Sequence, residues 1–154
     1  SAFVEVSLAQ LLRESVIEHS RLAAARNIDL GLAQADESAT VAGDRGALRV
    51  LLANLIGNAL RYAPEGGRVD VSCGIHDSAA WLEVADNGPG IPAEERERVF
   101  DRFYRHGGGS GAGLGLSIVR TIARRHGAMV RLLDSEGGGL SARVEFPAEG
   151  GDTV

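Results

Sequence analysis

The chain has 154 residues, a formal net charge of −5 and 44% hydrophobic residues, the make-up of one globular domain rather than a disordered or fibrous segment. A single cysteine, Cys73, excludes an internal disulfide framework and points to a reducing compartment. All sixteen basic residues are arginine, so the lysine of a P-loop and Schiff-base chemistry are excluded, and the acidic balance argues against a nucleic-acid partner.

Phe3-Val4-Glu5-Val6 alternates like a short strand. Ser7 and Gln10 form a capping-box pattern that opens a helix through Leu8, Leu11, Leu12 and Val16 to about Arg26. Two strands, Ile28 to Ala33 and Ala39 to Ala42, flank the polar turn at Asp36-Glu37-Ser38. Asp44 is a suitable N-cap for a second helix, Arg45 to Tyr62, which Pro64 and Gly66-Gly67 stop. Arg68 to Ile75 and Ala80 to Ala85 form a hairpin. A short amphipathic piece, Glu94 to Tyr104, lies inside a glycine- and proline-interrupted stretch, and a third helix runs from about Leu114 to His126, ended by Gly127. Met129 to Leu133 and Leu140 to Phe146 close the domain as a second hairpin, and residues 148–154 form a disordered tail. No run approaches the roughly 20 apolar residues of a bilayer-crossing helix. No secretory signal opens the chain, which leaves a membrane anchor outside these residues open.

Three segments carry more than fold. On the second helix, Asn54 and Asn58 interrupt a leucine-rich surface at i and i+4, and Arg61 and Tyr62 extend the stripe. Burying an amide without a partner costs about 1–3 kcal/mol, so the stripe fits the wall of a polar cavity. An Asn carbonyl can ligate Mg²⁺ and Arg can hold phosphate. An exposed helix face fits the same pattern. The second segment is Asp86-Asn87-Gly88-Pro89-Gly90-Ile91-Pro92, directly after a strand. A carboxylate there can accept hydrogen bonds from an exocyclic amino group, with glycines that let the backbone approach a flat ring; an ordinary Asp-Asn-Gly turn is the alternative. A dinucleotide fingerprint is disfavoured, because Pro89 and Pro92 lack the N–H donors a pyrophosphate needs. The third segment, Gly111-Ala112-Gly113-Leu114-Gly115-Leu116, runs into a helix. Its free N–H groups and positive dipole end suit phosphate, although a flexible linker has the same composition. Twenty-one glycines, roughly twice the usual share, are concentrated around these segments.

In type, order and spacing the three segments resemble the ATP-binding catalytic domain of sensor histidine kinases, in the wider group that contains gyrase, Hsp90 and MutL. Leu55 to Tyr62 resembles that family's N box, Asp86 to Ile91 its first glycine box, Phe100 to Arg105 its F box, and Gly111 to Leu116 its second glycine box. The resemblance implies a single domain over residues 1–147. Its fold would be an α+β two-layer sandwich of the Bergerat type, with a mixed sheet of about five long strands and three helices on one face. ATP and Mg²⁺ are the implied cofactors. Asn58 would hold the metal, and Asn54 would complete the polar wall. Arg61 would contact phosphate, as would Arg105, and Tyr62 would pack near the base. Asp86 would recognise the adenine amino group, with Gly88, Gly90 and Ile91 shaping that pocket. Gly111, Gly113, Leu114, Gly115 and Leu116 would cover the triphosphate and close the pocket. A lid over about residues 88–112 would be anchored by Phe100 and Phe103. Asn58, Arg61 and Arg105 are the residues the resemblance assigns to the transfer itself. Ala112 departs from the family, where Ser or Thr is frequent.

Position 54 discriminates within the group. In the hydrolysing relatives a Glu one turn before the metal-binding Asn is a general base, whereas Asn54 cannot take a proton. None of the four histidines has the sequence context of the family's phosphoacceptor; His106 lies beside the lid. The implied function is therefore phosphoryl transfer from Mg·ATP to a histidine on a dimerisation domain outside this chain, within a two-component system that ends on a response regulator. This chain would be monomeric and cytoplasmic, and its parent a homodimer open to an inner-membrane anchor. The alternatives are a gyrase- or MutL-like ATPase module and a non-catalytic nucleotide-sensing module.

Overall fold

The computed structural model describes residues 3–88, 93–100, 115–135 and 138–148. Strand β1 (Val4–Ser7) leads into α1 (Leu8–Glu18), where Ser7 Oγ accepts the Gln10 N–H at 3.2 Å. The Gln10 side chain does not return to the cap; it donates to Glu14, so half of the expected box forms. The first helix is also not continuous. It breaks at His19, whose backbone leaves the helical region at φ −103°, ψ 5°, and α2 (Ser20–Ala25) follows. Next come β2 (Asp29–Ala35), β3 (Thr40–Gly43) and α3 (Arg45–Tyr62). Asp44 caps α3, accepting the Ala47 N–H at 3.1 Å.

Strands β4 (Arg68–His76) and β5 (Ala79–Asp86) form a hairpin. Its two turn residues, Asp77 and Ser78, both have positive φ, the geometry of a type I′ turn. Two 3₁₀ turns, Ala93–Glu95 and Arg98–Phe100, occupy part of the expected amphipathic piece. Helix α4 (Gly115–Arg125) ends at Gly127, whose φ of +67° suits glycine. Strands β6 (Met129–Asp134) and β7 (Leu140–Glu145) are the last elements among the described residues.

The main sheet has the order β2-β4-β5-β7-β6, with β2 parallel to β4 and the other pairs antiparallel. Strands β2 and β3 do not pair with each other: β3 joins β1 in a separate two-stranded sheet. One face of the main sheet carries Val69, Val71, Leu82, Val84 and Val144, all buried. Against it pack Leu11 and Leu12 of α1, Leu48, Leu51, Leu52, Leu55 and Ile56 of α3, and Val119 of α4. Each such aliphatic side chain contributes about 1.5–3 kcal/mol on burial. The expected α+β two-layer sandwich is the observed fold, with four α-helices among the described residues rather than three.

Candidate functional site

The polar stripe of α3 lies at a helix–helix junction. Leu55, Ile56, Ala59 and Leu60 turn into the core, while Asn54 and Asn58 are half-buried on the adjoining face. The first residue of α4 meets them there. A Cβ built on Gly115 would stand 3.1 Å from Asn54 Oδ1 and 3.2 Å from Asn58 Nδ2. The bare glycine therefore leaves both amides open at the point where α4 begins. Asn54 Nδ2 donates to the Val50 carbonyl at 2.8 Å, which turns its oxygen towards Gly115.

At the other end of the stripe the last turn of α3 meets the end of β5. Asp86 is 7% exposed, the last of the residues Ala80, Leu82, Val84 and Asp86 that face the helices. Its Oδ1 accepts N–H groups from Gly88 at 2.8 Å and Leu140 at 3.4 Å. Burial pushes its carboxyl pKa up, and these two hydrogen bonds pull it partly back. Gly88 is squeezed between two elements: a Cβ there would lie 2.6 Å from the Tyr62 carbonyl oxygen and 3.0 Å from Asp86 Oδ1. Asn58 and Tyr62 are one helical turn apart, roughly 6 Å along the axis. The α3 stripe thus runs from the Gly115 junction to the Asp86 carboxylate. Arg61 is exposed at this end and Tyr62 is half-buried. Leu116 packs partly buried against the core.

Several supporting residues were not legible as such in the sequence. Arg26 donates to the carbonyls of Leu60, Arg61 and Ala63, the last at 2.8 Å, and so caps the final turn of α3. Asn87 Oδ1 accepts the Arg68 N–H at 2.9 Å, tying the Asp-Asn-Gly segment to the start of β4. A Cβ on Gly139 would overlap the Asp86 carbonyl, so only glycine fits beside that residue. The run Gly137-Gly138-Gly139 was the available signal. Arg120 lies over the Phe100 ring at 4.9 Å. Arg96 donates to the Leu132 carbonyl at 3.3 Å and pairs with Asp134 at 2.6 Å, which joins the 3₁₀ segment to β6. Gly90, Ile91, Phe103, Arg105, Gly111, Gly113 and Leu114, together with His106 and Ala112, lie outside the described residues. A cavity of about 520 Å³ opens on the opposite face of the sheet, lined by Asp70, Glu83, Asp134 and Ser141 as well as Asp86; Asn54 and Asn58 do not border it.

The arrangement offers a buried acceptor, Asp86, at one end and the Asn54 and Asn58 amides beside the start of α4 at the other. A family model described as histidine kinase-, DNA gyrase B-, and HSP90-like ATPase matches residues 43–150. The sensor protein kinase PmrB of Pseudomonas aeruginosa is 40% identical over 149 residues, covering 94% of this chain and 31% of that protein. The sensor protein QseC of Escherichia coli K12 is 40% identical over 144 residues, with coverage of 92% and 31%. The solved catalytic domain of histidine kinase ThkA matches with a TM-score of 0.86 at 30% identity, over 96% of this chain and 97% of that one. Full-length ShkA, solved in complex with AMPPNP, matches with a TM-score of 0.84 at 32% identity, over 94% and 31%. This chain thus spans 31% of the length of the two curated relatives.

Proposed function

We infer, for a chain that belongs to the family of histidine kinase-, DNA gyrase B- and HSP90-like ATPases, that it binds Mg·ATP and delivers the γ-phosphoryl group to a histidine on a separate dimerisation domain of its parent sensor kinase. The observation that carries this reading is the single α3 stripe that joins the Asn54–Asn58–Gly115 junction to the buried Asp86 carboxylate. Asp86 Oδ1 is occupied by backbone donors, and the second oxygen is left to accept an adenine amino hydrogen. Gly88, which admits no Cβ beside Tyr62, keeps the base slot narrow. Arg61, exposed at the end of α3, would reach phosphate oxygens, and Tyr62 would flank the base.

Among the described residues no group of three His, Cys, Asp or Glu stands ready to hold a metal. One amide oxygen, at Asn58, instead suits a magnesium ion that keeps its waters and takes phosphate oxygens as further ligands. The gap beside Gly115, which a Cβ would close, fits that group. Bound there, magnesium would neutralise charge on the phosphates. The residues of this chain bind, orient and exclude water, as a loose phosphoryl-transfer transition state requires. Asn54 has no basic site for a proton, so water is not activated at this position and the nucleophile comes from the incoming histidine.

By the same reading the partners are the histidine-bearing hairpin of the parent kinase and a response regulator. The parent would be a homodimer with its catalytic part in the cytoplasm. Among the described residues no helix is long and apolar enough to cross a membrane. The test is calorimetric titration of Asn58→Ala with ATP, with and without magnesium. Loss of the magnesium-dependent part of the affinity is expected, and unchanged Mg·ATP affinity would refute the site. Steady ATP turnover by the chain alone would favour a gyrase-like ATPase instead.

A further inference from the structure

Helix α4 runs antiparallel to α3, with its start beside Asn54 and Asn58 and its far end bonded to the start of α3. Its eleven residues span about 16 Å. At the start, Gly115 stands against Asn54 and Asn58. At the far end, Arg125 Nη2 donates to Asp44 Oδ2 at 2.7 Å, and the Asp44 N–H donates to His126 Nε2 at 3.0 Å. His126 Nδ1 faces the Ile122 carbonyl at 2.8 Å and so carries the hydrogen, which leaves Nε2 as the acceptor. Asp44 is also the cap of α3. One imidazole therefore ties the last turn of α4 to the first turn of α3.

His126 is buried, 6% exposed. Phe3 stacks on it with centroids 4.7 Å apart and planes 12° from parallel, and Phe146 meets it edge-on at 6.5 Å. The Arg125 guanidinium lies 5.7 Å from the Phe3 ring. Gly43 makes room for this packing, since a Cβ there would stand 3.0 Å from His126 Cδ2 and 2.8 Å from Leu48 Cδ1. Phe3 itself is 43% exposed and immediately precedes β1, where the polypeptide enters the domain.

We propose that His126 is a positioning residue for the triphosphate: it sets where α4 stands along α3, and through its stack with Phe3 it makes phosphate binding responsive to the polypeptide that precedes β1. The proposal rests on the nucleotide reading given above. A packed helix pair shifts between discrete positions rather than deforming continuously. A displacement of about 1 Å at a positioned group is enough to change its interaction with substrate. If the His126 clamp loosens, the movement is felt at Gly115, Asn54 and Asn58. Asp86 is held by Gly88 and Leu140 and not by α4, so recognition of the base stays intact.

The test measures the dissociation constants of Mg·ATP and of adenosine for the wild type, His126→Leu, His126→Gln and Phe3→Ala, each with a thermal melt. His126→Leu is expected to weaken Mg·ATP about tenfold while adenosine changes less than about twofold. His126→Gln, whose amide oxygen can accept the Asp44 N–H, is expected to recover most of the loss. Phe3→Ala, at a partly exposed position, is expected to weaken Mg·ATP about threefold, and it carries the test if His126→Leu does not fold. Equal losses for ATP and adenosine, or unchanged ATP affinity in a folded variant, overturn the proposal. Absence of recovery in His126→Gln overturns the route through Asp44. A wild type that binds neither ligand overturns the nucleotide reading itself, whereas a wild type that binds both while the variants match it overturns only the role of His126.

Discussion

Replacing Asp86 by Asn should separate nucleotide binding from stability. The Asn side chain keeps an oxygen for the N–H groups of Gly88 and Leu140 and exchanges the second carboxylate oxygen for an NH₂ donor. Burial raises the Asp86 pKa above the ordinary value near 3.8, so between those two values the folded protein binds more protons than the unfolded chain. Stability from this group is therefore fully present below the unfolded value and is lost as pH rises through the folded one. At neutral pH the wild type carries that loss and the amide does not. Asp86→Asn should be at least as stable as wild type at neutral pH, with the advantage shrinking in mild acid.

Binding should move the other way. The substitution removes a charge-assisted hydrogen bond and sets a donor against the adenine amino group, together about 2–4 kcal/mol, or roughly 30- to 1000-fold in affinity. Because guanine presents a carbonyl oxygen where adenine has its amino group, the preference for ATP over GTP should also collapse. Calorimetric titrations with Mg·ATP and Mg·GTP, beside urea unfolding at neutral and mildly acid pH, give all three quantities. An Asn variant that binds ATP within about threefold of wild type would refute the placement of adenine at Asp86.

Arg26→Ala should release the three carbonyls that close α3, destabilising the fold by about 1.5–3 kcal/mol; urea unfolding would measure this, and Mg·ATP affinity should fall because Arg61 and Tyr62 lie on the freed turn. Ser15 Oγ is the one buried side-chain polar atom without a hydrogen-bond partner among the described residues. Ser15→Ala should therefore raise stability by about 1 kcal/mol and leave nucleotide titrations unchanged. Asn54→Glu puts a proton acceptor one turn before Asn58, and release of inorganic phosphate by the isolated chain should rise by at least about tenfold.

Elements whose limits are set by neighbouring residues were legible. The limits of α3, Arg45 and Tyr62, match the expectation because Asp44 caps one end and Pro64 blocks the other. The hairpin limits fell within a residue or so, since Asp77-Ser78 closes the turn locally. The break at His19 has no such signal: neither glycine nor proline is present, and the kink arises where the His19 N–H is shared between the Ser15 and Val16 carbonyls. The split of β2 and β3 between two sheets was hidden for another reason. Pairing partners are tertiary choices, and β2 finds β4 across the whole of α3.

The same distinction applies to the site. Asn54, Asn58, Asp86, Gly88 and Gly115 each break a local rule, as an amide on a leucine-rich helix, a carboxylate ending a buried strand, or a glycine where a helix begins. His126 breaks none: a histidine near a helix C-terminus is ordinary, and its partner Asp44 is 82 residues away. Arg26 is equally silent, since its acceptors are backbone carbonyls 34 to 37 residues later.

Ser15 shows that a broken rule alone does not mark a site. Its buried hydroxyl is a local fault with nothing converging on it. The faults along α3 differ because they share neighbours: a Cβ on Gly115 would meet both amides, one on Gly88 would meet both Tyr62 and Asp86, and Gly139 admits only a hydrogen beside Asp86. Three glycines from three separate segments each remove a Cβ that would strike the same stripe or its carboxylate. Glycine weakens an element by about 0.5–1 kcal/mol relative to alanine. Repeated use of it around one set of polar side chains gives up stability so that three backbone segments can close in on the same stripe and its carboxylate, a convergence that the lone Ser15 hydroxyl lacks.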